Sequence, residues 1–190
     1  MRISSLLRDE PASSGLAYVV QAKAEIGDIA DALSLAIRIP ESRDYFLDEP
    51  RAAALHAVAK AQARAGDIAS ACDTAYLINN LKNREEALED IIKASAEIFE
   101  VDSGLEIANN ITDESRQSRA FSYLAIAYVK KGEGSRAVEI IDKISIDRNE
   151  RLIEIAEAFV EVGDINGFKQ LLVACAYYED TIYKMCELLA

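Results

Sequence analysis

The chain writes one phrase twice. Residues 21–32 read QAKAEIGDIADA and residues 60–71 read KAQARAGDIASA, with seven of twelve positions identical. Internal repetition constrains a fold more than composition does, because every copy must adopt the same local structure. Anchored on the Gly of the Gly-Asp pair, the chain aligns with itself five times, at Gly27, Gly66, Phe99, Gly132 and Gly163. The anchors lie 39, 33, 33 and 31 residues apart, and Phe99 stands where the other copies have Gly.

The alignment extends far from the anchor. Eleven residues before it come Leu16, Leu55, Leu88, Phe121 and Leu152, and eight before it Val19, Val58, Ile91, Leu124 and Ile155. Position −5 is Ala22, Ala61, Ala94, Ala127 and Ala158. Position +5 is Ala32, Ala71, Gly104, Ala137 and Phe168, and position +12 is Ile39, Ile78, Ile111, Ile144 and Cys175. Apolar residues at −11, −8 and −5 form one helical stripe, and those at +2, +5, +9 and +12 form a second. Between the stripes, Gly readily takes the left-handed conformation that ends a helix. The following Asp28, Asp67 or Asp164 is placed to cap the next helix. Each copy is therefore predicted to be a hairpin of two helices, each about 12–14 residues long. The alanines at −5 and small residues at +5 are expected to let the two helices approach closely. One hairpin cannot cover its own stripes, so stacked copies share them.

Composition agrees. Half of the 190 residues are hydrophobic, which argues against a disordered chain, and only 3 are proline. No charge-free run of eighteen apolar residues is present, so no membrane span is expected. The start, MRISSLLRDEPASS, lacks the apolar run of a secretory signal. Cys72, Cys175 and Cys186 are odd in number and widely spaced, which fits buried thiols in the cytoplasm better than disulfides or a metal site. The net charge of −12 disfavours nucleic acid and anionic membranes as partners.

The copies resemble tetratricopeptide repeats, helix-turn-helix units of about 34 residues. The second copy matches through Leu55, Val58-Ala59, Gly66-Asp67 and Ala71, and the fourth through Phe121, Leu124-Ala125, Gly132-Glu133 and Ala137. Tyr128 takes the usual mid-helix aromatic place and Phe159 nearly does, while the usual opening Trp is absent. The likeness covers about residues 13–176. It implies an all-α, right-handed α-solenoid of about five antiparallel helix hairpins with a C-terminal capping helix. On that reading residues 1–190 form a single domain, with repeats at 13–40, 51–79, 84–112, 117–146 and 149–176 and the cap at 177–190. HEAT-like or other helical repeats are the alternative. The surplus length of the first interval lies in PESRDYFLDEP, residues 40–50, whose prolines and acids predict a loop. Tyr45, Phe46 and Leu47 within it are expected to tuck against the stack, or else to form a contact patch.

Enzyme signals are weak. His56 is the one histidine, and no phosphate loop, zinc pattern or dinucleotide fingerprint occurs, so neither catalysis nor a cofactor is expected. The resemblance implies that the first helix of each copy lines a concave groove. Its exposed places fall at −10, −6 and −2, which are His56, Lys60 and Arg64 in the second copy. Lys93, Arg119 and Lys130 extend this basic patch, while Glu25, Glu89 and Glu97 offset it. The fifth copy carries Ile153, Glu157 and Glu161 at the same places. The first has Ala17 and Gln21, which does not support the carboxylate clamp of some family members. The expected function is a non-catalytic scaffold for protein–protein interaction, holding a peptide or partner helix that is acidic or carboxylate-bearing. The alternatives are a self-associating module, through its edge repeats or through Tyr177, Tyr178 and Tyr183, and less favourably an enzyme or RNA binder.

Overall fold

A computed structural model describes residues 10–41, 49–175 and 179–188, and all regular structure among them is helical. The expectations for residues 1–9, for Tyr45, Phe46 and Leu47, and for Tyr177 and Tyr178 lie outside the described residues. The helices are α1 (Glu10–Glu25), α2 (Ile29–Arg38), α3 (Glu49–Arg64), α4 (Ile68–Tyr76), α5 (Leu81–Glu97) and α6 (Val101–Ala108). There follow α7 (Glu114–Lys131), α8 (Gly134–Ile140), a 3-10 turn (Ile141–Lys143), α9 (Arg148–Val162), α10 (Ile165–Ala174) and α11 (Glu179–Glu187). The chain divides into two units, Met1–Ala94 and Ser95–Ala190, the division falling within α5.

The five turns are one structure written five times. Gly27, Gly66, Phe99, Gly132 and Gly163 all have positive φ, between 62° and 87°. In every copy the anchor N–H donates to the carbonyl at −3, and the next N–H donates to the carbonyl at −4. This pairing satisfies carbonyls that the helix end leaves open. The N–H at +5 then bonds to the carbonyl at +1 in every copy, which starts the second helix. Asp67 Oδ1 accepts from Ser70 N–H at 3.0 Å and Asp164 Oδ1 from Gly167 N–H at 2.9 Å, as caps. Asp28 makes no such cap and instead pairs with Lys23 at 2.8 Å.

Phe99 holds this conformation without glycine's freedom. A left-handed L-residue costs about 1–2 kcal/mol. Phe99→Gly is therefore expected to stabilise the chain by about 0.5–1 kcal/mol, while Gly66→Ala loses about as much. Chemical denaturation checks both, and a Phe99→Gly midpoint at or below that of the parent contradicts the assignment.

The helices of a hairpin are unequal. First helices run 15–18 residues and second helices 7–10, against the 12–14 expected for both. The reason lies at +12. Ile39, Ile78, Ile111, Ile144 and Cys175 are all buried, yet each follows the end of its helix. They are plugs that fold back under a finished helix rather than its last ridge.

In the first unit α1 packs on α2 and α3, and α3 on α2 and α4. In the second, α7 packs on α6, α8 and α9, α10 on α8 and α9, and α11 on α9. The most uniformly buried first-helix position is −7, occupied by Val20, Ala59, Ile92, Ala125 and Ala156. Position +5 is buried in every copy as well, as expected for a close seam. Position −5 behaves differently. Ala94, Ala127 and Ala158 are buried, but Ala61 is half-buried and Ala22 is exposed. Val19 is likewise 47% exposed, whereas its four counterparts are fully buried.

Among the cysteines, Cys175 is buried and Cys72 half-buried, with burial pushing the Cys72 thiol up to about 11. Cys186 is exposed, contrary to the expectation of three buried thiols. It sits on α11, whose Thr181 and Met185 form the covered face.

Candidate protein-binding cleft

In the first unit, positions −6 and −2 of two successive first helices face each other. Gln21 and Glu25 project from α1, and Lys60 and Arg64 from α3. Together they line a cleft of about 480 Å³, to which Gly27 and Ile29 also contribute. Ala24, Ala57, Ala61 and Ala65 also line it. Short side chains on both helices leave the space open, which accounts for the partial exposure of Ala61. Gln21 Nε2 donates to Glu25 Oε1 at 3.1 Å, so the α1 wall is acidic and the α3 wall basic.

His56 lies one turn earlier on α3 and is not part of the lining. Its Nε2 is 3.0 Å from Asp90 Oδ2, and Lys60 Nζ donates to the same oxygen at 2.8 Å. The hydrogen bond from His56, then that from Lys60, hold the Asp90 carboxyl well below the usual carboxylate range, against the opposing effect of burial. One acid thereby orients two of the expected basic residues and offsets part of their charge. Arg64 is exposed and has no ion-pair partner among the described residues. It is the cleft cation that faces the Glu25 wall without a direct ion pair.

The remaining expected site residues are placed separately. Lys93 is exposed on α5. In the second unit, half-buried Arg119 donates to Ser115 Oγ at 3.0 Å, and exposed Lys130 pairs with Glu161 at 3.5 Å. Tyr128 is fully buried there. Its hydroxyl donates to Asp102 at 3.0 Å, and the Arg136 guanidinium lies 4.5 Å from its ring centroid. Burial and the Asp102 bond push the Tyr128 hydroxyl up to about 12. Arg136 also donates to Asp102 at 2.7 Å, so one carboxylate ties α6, α7 and α8 together.

The Asp90 pair predicts a pH dependence. Folding lowers this carboxyl below its ordinary value of 3.8, so the stabilisation is fully present above that value and is lost as pH falls beneath it. Asp90→Asn is expected to cost about 1 kcal/mol at neutral pH. The difference from the parent should shrink between about pH 5 and about pH 2, as read by urea denaturation. A difference that stays constant through that window contradicts the pairing.

Among the described residues no group of three His, Cys, Asp or Glu side chains is placed to hold a metal ion, and no helix is long and apolar enough to cross a membrane. Repeated helix-turn-helix units with one turn chemistry define the class: among the described residues this is an all-α helical-repeat chain. Units of that class commonly present extended surfaces to other proteins.

No protein-family model matches the chain, and no curated protein sequence does. Two crystal structures are similar to it, both of a Podosopora anserina protein described as a kinesin light chain with nearly identical TPR-like repeats. The first shares 16% identity over 93% of this chain and 96% of that one, with a TM-score of 0.45. The second, a singly substituted form of the same protein, shares 16% identity over 95% and 99%, with a TM-score of 0.46.

Proposed function

We propose that the chain is a non-catalytic interaction module, acting in the cytoplasm, which binds a protein segment in the cleft between α1 and α3. The observation that carries this reading is the pairing of opposite walls, Gln21 and Glu25 on one side and Lys60 and Arg64 on the other, above alanines. Such a cleft suits an extended peptide or partner helix with an acidic or carboxylate-bearing side chain directed at Arg64 and Lys60. A donor group on its other edge would meet Glu25. Lys60 is already oriented by Asp90, which limits the ordering cost on binding. His56 and Lys93 flank the cleft in this reading. Arg119 and Lys130 are secondary contacts on the second unit. The net charge of −12 disfavours nucleic acid as the occupant.

A peptide array of varied charge, probed at low and high salt, tests the proposal. Peptides with isolated acidic residues should bind best, and their affinity should fall as salt rises from about 50 to about 500 mM. Arg64→Glu should weaken the best peptide about tenfold or more. Binding that ignores both salt and Arg64→Glu would remove the cleft from the account.

A further inference from the structure

Helix α1 has two apolar faces. One, with Val20 and Ala24, is buried in the first unit. The other carries Gly15, Val19 and Ala22, and Ile26 continues it one residue past the helix end with its N–H bonded to the Ala22 carbonyl at 3.2 Å, so the four recur at i, i+4, i+7 and i+11 as one straight stripe. All four are exposed, Ile26 at 80%, and Tyr18 beside them is 73% exposed. The stripe contains no charged residue. On the later first helices the −12 and −8 places of this face are hidden, as with Ala54 and Val58 on α3 and Ala120 and Leu124 on α7, while the −1 place of Ile26 is exposed in every copy. A surface of this type normally receives another helix.

We propose that the stripe receives a second copy of itself, so that two chains associate through antiparallel α1 helices about a two-fold axis. The argument is the spacing of large and small side chains. Residues 15, 19, 22 and 26 are symmetric about a point midway between 19 and 22. Antiparallel pairing about that point sets Ile26 over Gly15 of the second copy and Val19 over Ala22 of the second copy. Each large side chain thus meets a small one, twice over, as an isologous contact requires. No cation or carboxylate is stranded in the seam. The space above Gly15 is open, with no atom within 4 Å of where a Cβ would stand. A single helix face is smaller than a standard interface, so the dimer is weak and forms at high concentration. Each copy carries −12, so added salt should strengthen it, the opposite of the dependence expected for the cleft.

Sedimentation equilibrium of the whole chain from about 10 to about 500 µM tests this. The average mass should climb toward twice that of the monomer, further at high salt. Ala22→Glu should raise the dissociation constant about tenfold or more by setting two carboxylates near the axis. Ala22 is exposed, so circular dichroism and the melting temperature should not change. Gly15→Leu should weaken the dimer as well, by filling the hole for Ile26. A single mass for the parent at every concentration overturns the proposal, as does a dimer that Ala22→Glu leaves intact. A parent monomer that Ala22→Glu destabilises also overturns it, by showing that the chain itself covers the stripe.

Discussion

Phe159→Ala is expected to cost about 3–5 kcal/mol, at the upper end for a single core truncation. Phe159 is fully buried on α9, and its ring fills space that two neighbouring helices leave empty. A Cβ at Gly134 of α8 would stand 2.6 Å from the ring, and one at Gly167 of α10 would also collide with it. Removing the ring leaves a void bordered by two residues that have no side chain to move inward. The cost of such a void depends on how far the site can collapse, and here collapse requires backbone movement. Total stabilities of about 5–15 kcal/mol make this a large share of the fold. Urea denaturation measures it. A loss under about 1.5 kcal/mol would mean that α8 and α10 close the gap freely, and that the close packing at their glycines is not rigid.

Leu124→Ala is the second large effect, at about 2–5 kcal/mol. Leu124 is fully buried at −8 of the fourth copy. It faces Gly104, where a Cβ would lie 2.6 Å from Leu124 Cδ2 and 2.6 Å from Ser95 Oγ. Gly104→Ala alone should therefore overpack the seam and cost about 1–3 kcal/mol. The two changes should not add. With Leu124 truncated, the new methyl occupies vacated space, and the double variant should recover about 1 kcal/mol or more relative to the sum. Strict additivity would show that the two residues are not packing partners.

Much of this was legible from repetition alone. The anchor residues announced the turns, including the copy in which Phe99 replaces Gly, because its neighbours kept the common spacing. The same spacing names the −6 and −2 places, where Gln21, Glu25, Lys60 and Arg64 stand along the cleft, whereas His56 at −10 is not in its lining. Helix length was not. Periodicity shows that Ile39 or Ile78 is apolar, but it does not distinguish the last ridge of a helix from a plug beyond its end. The −5 alanines depart from the expected seam in the first two copies: Ala61 borders the open cleft, and Ala22 lies on the exposed face of α1, because small size suits a close seam and an open surface alike. Asp90 was missed as the acid that binds His56 and Lys60. It lies 34 and 30 residues beyond them, close to one repeat length, yet at −9 rather than at a groove place. Glu89, one residue earlier, occupies the groove place instead. The open face of α1 was hidden for a related reason: its residue types match those buried elsewhere, and only the packing shows that nothing described covers them.

The most direct measurement is amide chemical-shift mapping of the whole chain with its tightest array peptide. Binding in the cleft between α1 and α3 predicts that Gln21, Glu25, Gly27, Lys60 and Arg64 shift together and saturate at one concentration. Saturable shifts confined to other residues, with these five unmoved, would contradict it.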